Sequence, residues 1–195
     1  MIHGYHLILP MYGFWLPNDP RGSWSDYVRQ WEIARFGRPF KTIDRRSIDE
    51  LTEEQIRQRD AAKAALLFPP VSISGQQALT IAHGFARQIQ TSNYTVWACA
   101  ILPEHTHMVV ARHIYKVERI ANLLKGASTS EMIKAGNHPL QQYVDRHGRP
   151  QRMWSAHQWK VYLDNEAAID EATKRLPMSK RIRKRKENRA RIGDS

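Results

Sequence analysis

Two apolar segments in the middle of the chain are separated only by Pro103 and Glu104, and this short spacing most constrains the fold. Residues 94–102 are rich in Val, Trp and Ile, and residues 105–112 are again largely apolar. Strands joined this tightly pair antiparallel, because parallel strands need a crossover of about a dozen residues or more. The sequence therefore predicts a hairpin in which the second strand returns beside the first.

Amphipathic helices are predicted on both sides of this hairpin. Between residues 76 and 90 the apolar side chains recur at the spacing of one buried helix face, and Ser74 suits the N-cap. Residues 117–134 carry a second apolar stripe, and Gly136 suits the C-cap that follows it. This order predicts an α+β fold in which helices pack on one face of an antiparallel sheet.

The remaining segments complete this plan. Residues 5–9 predict a short first strand, residues 159–163 predict a short strand or an extended segment, and residues 165–176 predict a final helix. Between the first strand and the first amphipathic helix, about residues 10–70 form an N-terminal insertion of loop and helix. Residues 177–195 form a basic tail, typical of a solvated or disordered segment or of an arm that contacts phosphates.

The chain is strongly basic, with a formal net charge of +11 over 195 residues. Such an excess favours a polyanionic partner, either nucleic acid or an anionic membrane surface. Cys99 is the only cysteine, so neither an intramolecular disulfide nor a cysteine-based zinc site can form, which suits a reducing compartment. No apolar stretch approaches the roughly 18 residues of a membrane helix. Of the two polyanionic partners we expect nucleic acid and no membrane, and we expect a cytoplasmic protein.

His105 and His107 are the main candidate site. Side chains two residues apart on a strand project from the same face, so the two imidazoles can lie next to each other. Two neighbouring imidazoles can bind one divalent cation such as Zn, Mn, Ni or Cu and leave positions open to a phosphate oxygen. The alternative is two histidines on a half-exposed strand that bind no metal. His3, His6 and His113 could each add a ligand, or be ordinary surface or packed histidines.

Several separate segments, in a shared order, resemble one family. The sequence resembles the REP-associated tyrosine transposases of the HUH superfamily over about residues 1–170. The matching segments are Leu-Pro-Glu-His-Thr-His-Met-Val-Val at 102–110, Leu-Leu-Lys-Gly at 123–126, Gly-Tyr-His at 4–6, the loop at 13–23 and Trp-Lys-Val-Tyr-Leu-Asp at 159–164.

The resemblance implies a ferredoxin-like α+β domain over residues 1–176 that forms a homodimer and binds single-stranded or hairpin DNA. It implies DNA strand cleavage and transfer through a phosphotyrosine link, assisted by a divalent metal ion, Mg or Mn. His105 and His107 would be the metal ligands. The basic side chains expected to contact DNA are Lys125, Arg21, Arg112 and Lys160.

The family's nucleophile is missing from its usual place. The nucleophilic tyrosine of the family stands on the final helix, where this sequence has Arg175, and the polar residue one turn later, which often completes the metal site, corresponds to Ser179. Arginine cannot serve as the acceptor of a phosphoryl group at neutral pH. No tyrosine follows Tyr162, which is therefore the nearest substitute nucleophile, although an aromatic side chain on a strand more often packs in a core.

Three functions are consistent with these observations. The first is a transposase-like nuclease that acts on single-stranded DNA. The second is a relic or repurposed protein that binds such DNA without covalent chemistry. The third is a metal-dependent hydrolase in which water attacks the phosphate. An abrupt change to a basic run near residue 172 also suggests a frameshifted or degraded transposase end.

Overall fold

An antiparallel sheet of four strands forms the centre of the protein. It is seen in a computed structural model that describes residues 1–23, 28, 31–40 and 48–176. Neighbouring strands pair antiparallel in the order β2-β3-β1-β4. The strands are β1 (Gly4–Pro10), β2 (Val96–Ile101), β3 (His105–Ala111) and β4 (Trp159–Leu163). The predicted basic tail, with Ser179, lies outside the described residues.

The strands and the two long helices follow a βαββαβ order, with further helices after the first strand and after the last one. The helices are α1 (Trp31–Ala34), α2 (Glu53–Ala64), α3 (Gly75–Ser92), α4 (Val117–Lys134) and α5 (Glu166–Arg175). Helix α3 connects β1 to β2, and α4 connects β3 to β4, so each connection passes over one intervening strand, as in ferredoxin-like folds. The predicted α+β class is confirmed. In the described part of the chain, no helix has both the length and the apolar character needed to cross a bilayer.

Local capping fixes both ends of α3 and the C-terminal end of α4. The hydroxyl of Ser74 accepts a hydrogen bond from the backbone N–H of Gln77, whose side chain accepts one from the Ser74 N–H in return. Helix α3 ends at Asn93, which adopts the left-handed conformation with φ 55°. Helix α4 ends at Ala135, and Gly136 follows it with φ 64°, the conformation for which glycine is favoured.

The main core lies between one face of the sheet and the helix pair α3 and α4. Alternate residues of β1, including Leu7 and Leu9, meet Met108 of β3 on this face, and all three are fully buried. The two helices cross closely at Gly84, where a Cβ atom would lie 2.5 Å from the Cα atom of Ser128. A side chain at Gly84 would therefore push the helices apart.

Helix α5 covers part of the opposite face of the sheet. Ala172 and Leu176 pack there against Ala100, Val109 and Leu163. The prediction that helices pack on one face therefore holds for α3 and α4 but not for α5. The apolar side chain of Val109 points away from the main core, and covering it with α5 removes it from water.

Candidate functional site

Two imidazole rings lie side by side at the start of strand β3. The side chain of Thr106 points into the protein and is fully buried, so those of His105 and His107 project together from the opposite face of the sheet. Their ring centroids are 4.8 Å apart and the rings are inclined at 73°. This is the face that α5 covers further along the strand, next to Val109.

The separation of these rings suits a shared cation. Two imidazoles bound to one divalent ion through nitrogens about 2.1 Å from it place their ring centroids about 5 Å apart. The Nδ1 atom of His105 is buried without a hydrogen-bond partner, and burial lowers the pKa of this imidazole. A lowered pKa keeps the ring neutral, which is the form that binds a metal. His105 and His107 are therefore the residues that would hold a cation.

A complete protein cage for a metal is not present in the part of the chain that the structure describes. There, no group of three or more His, Cys, Asp or Glu side chains is arranged to hold a metal ion.

A third histidine contacts the pair from the neighbouring strand. The Nε2 atom of His6 lies 2.9 Å from the Nδ1 atom of His107, and the two ring centroids are 5.1 Å apart. His6 stands opposite Val109 in the pairing of β1 with β3. Sequence reasoning had no means of choosing His6 over the other histidines, because the register between distant strands was not known.

Aromatic side chains of the insertion lie against the histidines. Phe14 stacks on His105 with ring centroids 4.6 Å apart and an angle of 16° between the rings. Trp15 contacts Trp159 of β4 at 5.9 Å, and its indole N–H donates a hydrogen bond to the carbonyl oxygen of Gly22. The loop after β1 therefore forms one wall of the candidate site. Its prolines, glycines and Asn-Asp pair predict an ordered loop held by its aromatic side chains, but they do not predict that it lies against the histidines.

Arg21 is part of the internal structure of this loop. Its guanidinium binds Asp19 through two hydrogen bonds, Nε to Oδ1 at 2.8 Å and Nη2 to Oδ2 at 2.7 Å. It also lies over the Trp15 ring at 4.0 Å, and both charged side chains are buried. Arg59 of α2 approaches the same carboxylate at 3.5 Å. Arg21 was expected to contact DNA, but its placement does not support that interpretation, because its charge is already paired inside the protein.

Lys125 is also turned inward. Its ammonium group donates hydrogen bonds to the carbonyl oxygens of Ser155 and His157, at 2.9 and 3.1 Å, and to the side-chain oxygen of Gln158 at 3.4 Å. Burial lowers the pKa of Lys125 to about 8. An ammonium has three hydrogens to donate, and all three are used here. The expectation that Lys125 faces phosphates is therefore not supported by its position.

The other two predicted DNA contacts lie apart from the histidines. Lys160 forms an ion pair with Glu118 of α4, and this hydrogen bond raises the pKa of the lysine and lowers that of the carboxyl group. Arg112 is exposed just beyond the end of β3. It is separated from His105 by the length of this strand, about 20 Å. The structure therefore does not gather the four predicted cations around the histidine pair.

Tyr162 and Arg175 are not brought to the histidines either. The Tyr162 ring packs against Tyr5 at 5.7 Å, on the sheet face that α3 and α4 cover, so it lies on the opposite side from His105. Arg175 is exposed at the end of α5 and pairs with Glu171. A phosphate held at the histidines would be separated from the Tyr162 hydroxyl of the same chain by the sheet.

Comparison with known proteins finds similarity among solved structures. No family model matches the chain, and no curated protein matches it. A REP-associated tyrosine transposase bound to a REP hairpin is similar with a TM-score of 0.43 and 8% identity, over 89% of this chain and 64% of that one. A candidate transposase from Deinococcus radiodurans R1 gives a TM-score of 0.41 and 12% identity, over 88% of this chain and 86% of that one. The chain thus spans less than two thirds of the first of these proteins.

Proposed function

We propose that this chain is a transposase-like protein that binds single-stranded or hairpin DNA on the sheet face carrying His105 and His107, with a divalent cation between the two imidazoles. The observation that carries the proposal is the projection of both rings from one face, 4.8 Å apart. The formal charge of +11 supports a polyanionic ligand. The segments that resemble the HUH transposases support DNA as that polyanion.

Each residue at the proposed site has a separable task. His105 and His107 would hold the cation, Mg or Mn, which when bound would polarise a phosphate oxygen. Phe14 stacks on His105 and restricts the orientation of its ring. Burial keeps His105 neutral and therefore able to offer a lone pair. These side chains position a phosphate; none of them is a hydroxyl nucleophile.

DNA binding without a phosphotyrosine link is the form of this function that the geometry favours. Tyr162 lies behind the sheet, and Arg175 stands where the family has its nucleophile. The second candidate is strand cleavage, by a tyrosine or by water, and the pair of imidazoles that would hold a divalent cation beside a phosphate favours it. The two candidates differ in the fate of the DNA and can be separated in one assay.

The assay uses a labelled hairpin flanked by single strands, incubated with the protein and Mn²⁺. Retarded but intact DNA is the expected result, with an affinity that falls as salt rises. A covalent protein–DNA adduct or free cleaved ends would refute the binding-only form, and failure to retard the hairpin would refute the proposal itself. Mn²⁺ bound to the protein, followed by electron paramagnetic resonance, should be lost in His105→Ala. It should persist in His83→Ala, a matched change at an exposed histidine on α3.

A further inference from the structure

The contact between His6 and His107 assigns a role to a histidine that the proposed site does not otherwise use. We propose that His6 is a positioning residue, whose Nε2 atom accepts a hydrogen bond from the Nδ1–H of His107 and so leaves the Nε2 lone pair of His107 for the cation. The two nitrogens are 2.9 Å apart, an ordinary hydrogen-bond distance. This inference rests on the proposed cation site and specifies how one of its ligands is prepared.

The direction of this hydrogen bond decides what His107 can do. A neutral imidazole carries one proton, so one ring nitrogen donates and the other accepts. If His6 donated to the Nδ1 atom of His107, the remaining proton of His107 would sit on Nε2, and neither nitrogen would have a lone pair for a metal. If His107 donates from Nδ1, its Nε2 atom carries the lone pair that a metal ion needs. Metal-binding histidines usually donate their second ring N–H to an acceptor in this way.

The position of His6 in the sheet makes it a rigid acceptor. It lies in the middle of β1, opposite Val109 on one side and Val161 on the other. A backbone paired on both sides holds the imidazole in place against His107. Its side chain is partly buried, which shields the hydrogen bond from competing water.

The first test reads the tautomer of His107 in the metal-free protein. At pH 8, well above the usual imidazole pKa of about 6.5, multiple-bond ¹⁵N–¹H nuclear magnetic resonance should show the proton of His107 on Nδ1. His6→Leu removes the acceptor and should shift the population towards the Nε2–H form. His6→Gln offers a carbonyl oxygen and should retain the Nδ1–H form. A wild-type His107 protonated on Nε2, or no change in His6→Leu, would overturn the inference.

The second test measures Mn²⁺ affinity by electron paramagnetic resonance. Loss of an outer partner of a metal-binding histidine typically weakens binding about 10- to 100-fold, and we expect that loss in His6→Leu. His6→Gln should recover most of the affinity, and His3→Leu, at an exposed histidine just before β1, should leave it unchanged. Equal losses in His6→Leu and His6→Gln would identify His6 as a direct ligand and overturn the positioning role.

The two tests separate this inference from the proposed function. Mn²⁺ binding by the wild type together with the Nε2–H tautomer of His107 would overturn the positioning role alone. No Mn²⁺ binding by the wild type would overturn the cation site and this inference with it.

Discussion

Replacing Lys125 with methionine should destabilise the fold and leave the electrostatics of DNA binding unchanged. Methionine keeps the length and apolar character of the lysine stem, so the substitution removes mainly the ammonium group. Three oxygen atoms, those of Ser155, His157 and Gln158, then lose their donor. These residues form the segment that leads into β4, so its attachment to α4 is what the substitution weakens.

The size of the effect follows from those three acceptors. A buried polar group left without its partner costs about 1–3 kcal/mol. His157 is exposed and the other two are half-buried, so water can replace part of each bond. The substitution also removes the free-energy cost of burying the ammonium charge, which offsets a further part of the lost stability. We expect the free energy of unfolding to fall by about 2–3 kcal/mol, a large share of the roughly 5–15 kcal/mol typical of a domain.

Urea denaturation measures the stability, and fluorescence anisotropy with a hairpin oligonucleotide at several salt concentrations measures the binding. Lys134→Met, at an exposed lysine in the last turn of the same helix, is the control and should change stability by no more than about 0.5 kcal/mol. A phosphate contact through Lys125 would instead reduce the slope of log affinity against log salt by about 1. Unchanged stability in Lys125→Met with a reduced salt slope would refute the structural role.

The pH dependence of stability offers an independent check on Lys125. Burial lowers the pKa of this lysine to about 8 in the folded protein, from 10.5. Between these values the unfolded chain binds more protons at this site than the folded one, so the lysine's contribution to stability becomes more favourable as pH rises. The stability of the wild type relative to Lys125→Met should therefore increase from about pH 8 to about pH 10.5 and be constant below pH 8. A difference that shrinks over this range would contradict the burial of the ammonium.

Two further substitutions test the packing of the protein, one between α3 and α4 and one in the loop after β1. Gly84→Ala should destabilise the protein by about 1–3 kcal/mol in thermal or urea denaturation, because the new methyl group would overlap the backbone of α4. The control, Gly126→Ala in open space on α4, should be neutral or stabilising by up to about 1 kcal/mol. Equal effects of the two substitutions would be incompatible with the close crossing of α3 and α4. Asp19→Asn should cost about 3–5 kcal/mol, because it leaves the Arg21 guanidinium buried without its counter-charge. Hydrogen exchange should then rise first in the loop around these two residues, and protection at the wild-type level there would argue against the ion pair as its anchor.

The order and the limits of the regular elements could largely be predicted from the sequence. Helix α4 and strand β4 have the predicted bounds, because the apolar period of the helix and the β-branched and aromatic content of the strand are local signals. The side of the sheet that α5 covers could not be predicted. Its apolar residues, among them Ala172, mark a buried face but do not say which face of a sheet they meet.

The candidate site could also be predicted only in part from the sequence. The common projection of His105 and His107 follows from the two-residue period of any strand and needs no tertiary information. The approach of His6 depends on the register between strands about a hundred residues apart in sequence, which no local pattern contains. The stacking of Phe14 on His105 similarly depends on how an irregular loop folds back after β1.

The four predicted cations show that the number of basic residues in a sequence does not locate its DNA-binding surface. Arg21 is paired with Asp19, Lys160 with Glu118, and Lys125 with oxygens of its own chain. Each of these partners is close in space but cannot be identified from the sequence around the cation, except for Asp19, which stands two residues before Arg21. A charge already balanced inside the protein releases few counterions when DNA arrives, and counterion release is the main source of affinity for a polyanion. Of the four predicted contacts, Arg112 is the one that lies exposed and outside the ion pairs of the described residues, so the salt dependence of DNA binding should be sought there before it is sought at Arg21, Lys125 or Lys160.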